Sequence, residues 1–359
     1  MSEIKVNSIK GVGASTAAIT VNNTDGSCAV NNTQRQGKNL IINGGMNVAQ
    51  RGSASSTTNG LATVDRFKKI GAGLGNTFSQ EQISLSSSDT PYSSGFRKAF
   101  RVSQDQAGTA NASGAIDFSH YIEAQNIAGS GWNYTSASSK ITLQFWFRAS
   151  TNQTFYGVLY TPDGTVQTYP FSFTASGNNT WTKITHTIPG NSNITIDNNN
   201  GTGLILYLIP FYGTDYTDNS KSVNAWSAHS TNFCPDMAST WLTAGASTFD
   251  VTGMQLEVSD HATSFEFLSF ADELRRCQRY YFKGSGSQKY FGGMYNSSNS
   301  MINVPLPVTM RTTPTITSAN ADGGTLGDIY ENENNICYYI LGDTSVGFTP
   351  SDAEASAEL

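Results

Sequence analysis

Two runs in this chain place side chains suited to gripping a sugar along one side of a strand. In KITLQFWFRA, residues 140–149, alternation puts Gln144, Trp146 and Arg148 on one face and Ile141, Leu143, Phe145 and Phe147 on the other. In GLILYLIP, Tyr207 shares a face with Ile205 and Ile209. An aromatic ring stacks on the apolar face of a sugar, while amides and a guanidinium bond its hydroxyls. Gln144, Trp146, Arg148 and Tyr207 are therefore the candidate glycan-binding set, with Trp146 and Tyr207 on a shared sheet face; the alternative is that both aromatics are packed under loops or against a neighbouring subunit. Trp132, Tyr134, Tyr212, Tyr216 and Trp226 lie in Gly/Asn/Ser-rich surroundings, where packing under loops is their expected role.

Other chemistries find less support. The four histidines, His120, His186, His229 and His261, show no i,i+4 pairing and no zinc spacing. No nucleophile elbow or phosphate loop follows a strand pattern. A glycosidase needs two carboxylates about 5–10 Å apart. Asp215 with Asp218, and Glu257 with Glu266, are the pairs to consider, but among 27 acidic residues such pairs arise by chance. The expectation is a chain that is not an enzyme and has no cofactor. Oxygen-rich stretches such as NADGGTLGD, residues 320–328, offer donors for a structural calcium. Their spacing specifies no site, and no metal ligand is assigned.

The elements that must hold these residues are mostly strands. Short alternating runs are separated by Gly, Asn and Ser turns from residue 39 to residue 258, with no strand–helix alternation. This pattern indicates a β-sandwich or jelly roll. Charged residues make up 13% of the chain, about half the usual ~25%. Aromatic residues at 11% and a net charge of -6 argue against disorder and against a nucleic-acid-binding surface. There is no apolar run of the ~18 residues a membrane helix needs, so no membrane insertion is expected. The opening MSEIKVNSIKG lacks the apolar core of a secretion signal. Cys28, Cys234, Cys277 and Cys337 are widely spaced and are expected to be free thiols.

Residues 1–37 carry three thin β-like runs, too sparse to bury a core alone. Residues 38–267 form the expected jelly roll and 284–359 a small C-terminal β domain ending in a polar tail, SDAEASAEL. Between them, residues 269–282 change period. Ser269 can cap a helix whose first turn holds Asp272 and Glu273. Phe270, Leu274, Cys277 and Tyr281 recur at about four-residue spacing. That stripe is expected to be buried at a domain or subunit junction.

Several segments resemble a known group. NLIINGGM (39–46), ITLQFWFRA (141–149), Trp181-Thr182-Lys183 and GMQLEV (253–258) occur in the order found in jelly rolls of the galactose-binding, carbohydrate-binding type. MSEIKVNSIK, SFADELRRCQRYY (269–281) and VPLPVTMRTTPTIT (304–317) resemble tail-fibre-type proteins of marine bacteriophages. The resemblance implies a mainly β virion structural protein: an intertwined N-terminal β segment, a jelly-roll sandwich, one linking helix and a C-terminal β domain. It implies a homotrimer joined through its N-terminal segment to other tail or virion proteins. It also implies attachment to the host surface by way of cell-surface glycan. A subunit with no glycan site of its own and a polysaccharide depolymerase are the rival readings.

Overall fold

The structure, a computed structural model, describes residues 6–9, 19–21, 28–30, 37–284, 293–318, 325–341 and 354–359. The fold is mainly β, built among the described residues from antiparallel sheets and four short helices. Strands β1 (Ser8–Ile9), β2 (Ile19–Val21) and β3 (Cys28–Val30) form a small three-stranded sheet. The other residues of the 1–37 segment, except Val6, Asn7 and Gly37, lie outside the described residues, and its expected intertwining lies outside them too.

The sandwich follows in chain order: β4 (Phe67–Ala72), β5 (Phe78–Ser84), α1 (Thr90–Ser93), β6 (Lys98–Gln104), β7 (Ala115–Glu123), α2 (Ala124–Ala128), β8 (Lys140–Ala149), β9 (Thr154–Thr161), β10 (Gln167–Thr174), β11 (Thr182–Pro189), β12 (Thr202–Tyr212), β13 (Ser227–Ala228), α3 (Thr240–Thr243) and β14 (Ser247–Val258). One sheet has the order β13-β10-β9-β12-β7-β4 and the other β11-β8-β14-β6-β5. Their inner faces supply the core. From β8 come Ile141, Leu143, Phe145 and Phe147, as the alternation requires, and from β12 come Leu204, Leu206, Leu208 and Phe211. Phe147 lies 4.7 Å from Phe249, 5.0 Å from Phe173 and 5.4 Å from Phe155 between ring centroids. Each fully buried ring contributes about 1.5–3 kcal/mol relative to exposure, so this cluster ties β8, β9, β10 and β14 together.

The NLIINGGM run is buried, but it is not the expected first strand. The Asn39 side chain instead accepts from the backbone N–H groups of Ile41 and Leu256, 3.0 Å each, and donates to Met254 O at 3.0 Å. Asn43 and Met46 then take left-handed backbone angles, φ 62° and 58°. Side-chain bonds to backbone displace a strand ladder here, and the run becomes a buried turn clasping β14.

Helix α4 (Phe270–Gln278) is shorter than expected. Ser269 caps it, accepting from Asp272 N at 3.2 Å. The chain then turns into β15 (Tyr281–Lys283), so Tyr281 is a strand residue. Cys277 and Tyr280 are buried with Ile42 and Val48, and Leu274 packs against them. Phe270 departs from the expected stripe and is 61% exposed in the single chain. Helix and sandwich are joined by Arg279, whose Nε and Nη2 donate to the Glu123 carboxylate at 2.8 and 2.9 Å.

The remaining strands are β16 (Gly293–Met294), β17 (Asn299–Pro305), β18 (Thr315–Ser318), β19 (Thr325–Asn332), β20 (Asn335–Leu341) and β21 (Glu354–Ser356). They form sheets of order β16-β17-β20-β19 and β15-β21-β18 around a second core of Ile302, Val304, Ile336, Tyr338 and Ile340. A strand expected at 289–291 falls outside the described residues. The expected polar tail is a correction. Its last six residues are built into the fold, with Ala355 and Ala357 buried. Cys234, Cys277 and Cys337 are free thiols; the Cys28 side chain is not described.

Candidate functional site

The outward face of the five-stranded sheet is laid out in rows by strand register. Lys183, Trp146 and Thr252 form one row across β11, β8 and β14. Thr185, Gln144 and Gln255 form the next, and Thr187, Thr142 and Glu257 the third. After β14 the chain doubles back, and residues 259–267 lie across the last two rows as a strap. Thr142 Oγ1 donates to Ser259 O at 2.9 Å, and Gln144 Nε2 donates to Thr263 O at 2.7 Å. Glu266 N donates to Gln255 Oε1 at 2.8 Å. Sheet amides and hydroxyls are thus spent on strap backbone, which needs partners once it is withdrawn from water.

Of these three rows the first stays open. Here the strap turns up as Ser264, Phe265 and Phe267, and the turn after α1 contributes Ser94 and Phe96 opposite. Together with Gln144, Trp146, Lys183 and Gly253 they line a cleft of about 340 Å³. Its aromatic wall is mutually braced. Phe265 meets Phe96 edge-on at 4.8 Å and Phe267 at 4.8 Å, and Phe267 lies 5.2 Å from Phe96. Phe267 is 53% exposed, so one ring of the wall faces solvent. Trp146 is half-buried and Lys183 exposed. Gly253 makes the shape possible. It sits at a bulge between Thr252 and Gln255 with φ 64°, and a Cβ there would come within 2.6 Å of the Phe96 ring.

Arg148 faces outward but does not reach the cleft. Arg148, Asp250, Arg101 and Glu81 are cross-strand partners on β8, β14, β6 and β5, and their charges alternate. Arg148 donates to Asp250 Oδ2 from Nε at 2.9 Å and from Nη2 at 2.7 Å, and Arg101 Nε donates to Oδ1 at 2.7 Å. Arg148 Nη1 also donates to Asp89 at 2.9 Å, as does Trp181 Nε1 at 2.8 Å. Burial pushes the Asp89 carboxyl up, but bonds from Ser86 and Trp181 and the Arg148 charge outweigh it and hold it below its ordinary value. The guanidinium fixes a charge ladder and the α1 turn, and so supports the cleft wall from behind.

Tyr207 corrects the expected site. Its strand, β12, belongs to the six-stranded sheet, so it faces away on the opposite side of the sandwich from Trp146. Alternation within each strand was legible, but not the sheet to which each strand belongs. Tyr207 packs among Tyr160, Phe233 and Tyr212 under the loop of residues 213–238. Below it Asp117 is buried and accepts from Tyr212 Oη at 2.9 Å. Burial raises its pKa to about 7, against smaller lowering effects of the Tyr212 bond and the Lys68 charge.

The residues missed in the sequence are Phe96, Lys183, Phe265 and Phe267. The run SFEFLSF carried a signal, aromatic residues alternating without a strand partner, but nothing in it tells that it folds back over β8. Three of the carboxylates considered as chance pairs accept backbone bonds within the fold. Glu266 accepts from the backbone N–H of Gly37 and of Asn39, and Glu257 accepts from Thr263 N at 2.9 Å. Asp218 accepts from Ser220 N at 2.8 Å within its loop. Among the described residues no group of three or more His, Cys, Asp or Glu side chains is placed to hold a metal. Residues 320–324 of the oxygen-rich loop lie outside them.

No protein-family model matches the chain, and no curated protein matches it in sequence. Among solved structures it is similar to the enzymatically active domain of tailspike protein 4 of bacteriophage CBA120, at 10% identity and a TM-score of 0.31, over 62% of this chain and 22% of that one. It is also similar to a family 11 carbohydrate-binding module of a Clostridium thermocellum cellulase, at 11% identity and TM-score 0.29, over 58% and 96%. A third is the N-terminal cellulose-binding domain of Cellulomonas fimi β-1,4-glucanase C, at 10% and 0.27, over 57% and 94%. The chain spans about a fifth of the tailspike domain.

Proposed function

We propose that this chain is a glycan-binding protein whose ligand lies in the Trp146–Phe267 cleft, and that it serves as a tail-fibre-type virion appendage for host-surface attachment. The observation that carries the glycan reading is the open row itself. A half-buried indole and an exposed phenyl ring stand beside an exposed lysine and two exposed serines, the mixture that a sugar's two kinds of surface require. The virion reading is supported by the segments that resemble marine phage fibre proteins. In this reading the chain acts by binding alone, as a homotrimer held to other virion proteins through residues 1–37. Several weak sites on one trimer would multiply into useful avidity.

The test is a titration of full-length protein with oligosaccharides from bacterial surface polysaccharides. Binding in the micromolar to millimolar range, weakened about tenfold by Phe267→Ala, supports the reading. Absence of binding across the panel overturns it, and release of reducing ends would replace it with a depolymerase. Sedimentation mass tests the trimer separately.

A further inference from the structure

A second cleft lies where helix α4 meets the sandwich. On and just beyond α4, Glu273, Cys277 and Tyr280 recur at helical spacing and turn one face inward. Glu273 pins that face by accepting from Asn43 N at 2.7 Å, and Cys277 and Tyr280 are buried with Ile42 and Val48. Arg276 and Arg279 are brought alongside. With Leu40 and Ile42 of the buried turn, and Asn126 and Ser130 of α2 and its end, they line a cleft of about 330 Å³. That volume is at the small end of the ~300–1,000 Å³ usual for ligand sites. None of the described residues lining it is acidic.

The two guanidiniums differ. Arg279 is neutralised by the Glu123 carboxylate, which accepts from its Nε and Nη2. Arg276 forms no ion pair, and its one hydrogen bond among the described residues runs from Nη2 to Asn39 O at 3.0 Å. Most of a planar fork that can hold a carboxylate by two parallel bonds is therefore free. Its charge is felt behind the cleft. His120, whose Nε2 accepts from Ile42 N at 3.3 Å, is held well below the usual imidazole range, first by burial and then by the Arg66 and Arg276 charges. On the α2 side the Asn126 amide is exposed and has no hydrogen bond among the described residues. A free cationic fork, a free amide and the apolar surface of Leu40 and Ile42 thus meet in one hollow.

We propose that this cleft binds a carboxylate-bearing sugar, a uronic acid unit of an acidic polysaccharide, with Arg276 holding the carboxylate and Asn126 bonding ring hydroxyls. The choice of a sugar as the body of the ligand rests on the glycan reading above; the carboxylate grip does not. The site is distinct from the Trp146–Phe267 cleft, and the two have no lining residue in common.

The test is calorimetric titration of full-length protein at low salt with galacturonate, galactose, acetate and inorganic phosphate. Galacturonate should bind with a millimolar dissociation constant. Galactose should bind about tenfold more weakly or less, because it lacks the charge-assisted bonds of the carboxylate, and acetate and phosphate likewise, because they lack the ring. Arg276→Gln should lower galacturonate affinity about tenfold, and Arg276→Lys, which keeps the charge without the fork, by a smaller factor. Asn126→Asp changes an exposed side chain with no bond to lose, so it tests the site even where Arg276→Gln disturbs the fold. Its like charge beside the carboxylate should lower affinity about fivefold. The Phe267→Ala chain, in which the first cleft is disabled, should show the same dependence on Arg276. Absence of galacturonate binding, equal affinity for galactose, acetate or phosphate as tight as galacturonate, or binding that survives both Arg276→Gln and Asn126→Asp would each overturn the proposal.

Discussion

Replacing Asp117 with asparagine should change how stability depends on pH, with a sign fixed by the structure. The carboxyl is buried on the outward face of the six-stranded sheet, with a pKa of about 7 against an ordinary value of 3.8. In the unfolded chain it loses its proton near pH 4, while in the folded protein it keeps it to about pH 7. Between those values the folded state binds more protons at this site, so its contribution makes stability fall as pH rises and levels off above about pH 7. Roughly three pKa units correspond to about 4 kcal/mol, an upper figure because buried sites relax. The substituted asparagine cannot ionise, yet its amide oxygen still accepts from the Tyr212 hydroxyl. Urea unfolding of Asp117→Asn and wild type, followed by tryptophan fluorescence from about pH 4 to pH 8, gives the difference curve and cancels the other titrating groups. The variant should gain about 2–4 kcal/mol on wild type across that range, most of it between about pH 4 and 7. A flat difference would show that Asp117 is not buried as described.

Other consequences are tested as simply. Asp250→Ala leaves Arg148 and Arg101 without their shared carboxylate. It should cost about 2–4 kcal/mol in urea unfolding, less than a fully buried pair because both arginines keep some water; a loss under about 0.5 kcal/mol would refute the ladder. Gly253→Ala puts a Cβ against Phe96 at a left-handed position and should cost about 1–3 kcal/mol, lowering Tm and glycan affinity together. Gly37→Ala, at φ 76° in open space, should cost about 1 kcal/mol. Cys234, whose thiol burial pushes up to about 12, and buried Cys277 should stay unlabelled by a thiol reagent at about pH 8 until the protein unfolds. Rapid labelling of either would contradict the cores in which they sit.

The sequence showed which side chains face together along one strand, and the alternation of β8 appears as read. It also showed the helix cap, because Ser269 and Asp272 are local partners. Long-range facts were not legible. The sheet membership of Tyr207 depends on β12 pairing with β7 and β9 rather than with β8. The partner of Arg148 lies 102 residues away, and the aromatic strap covers β8 only after the chain reverses. The segment 354–359 looked like a solvated tail because it is polar, but its two alanines are small enough to enter a core while both glutamates meet cations.

The proposed sugar site is the open row of the five-stranded sheet. It is tested most directly by titrating one bound oligosaccharide into wild type, Phe267→Ala and Tyr207→Ala. The two rings lie on opposite faces of the sandwich. Affinity should fall about tenfold for Phe267→Ala and stay unchanged for Tyr207→Ala. The reverse order, with Tyr207 required and Phe267 dispensable, would contradict it.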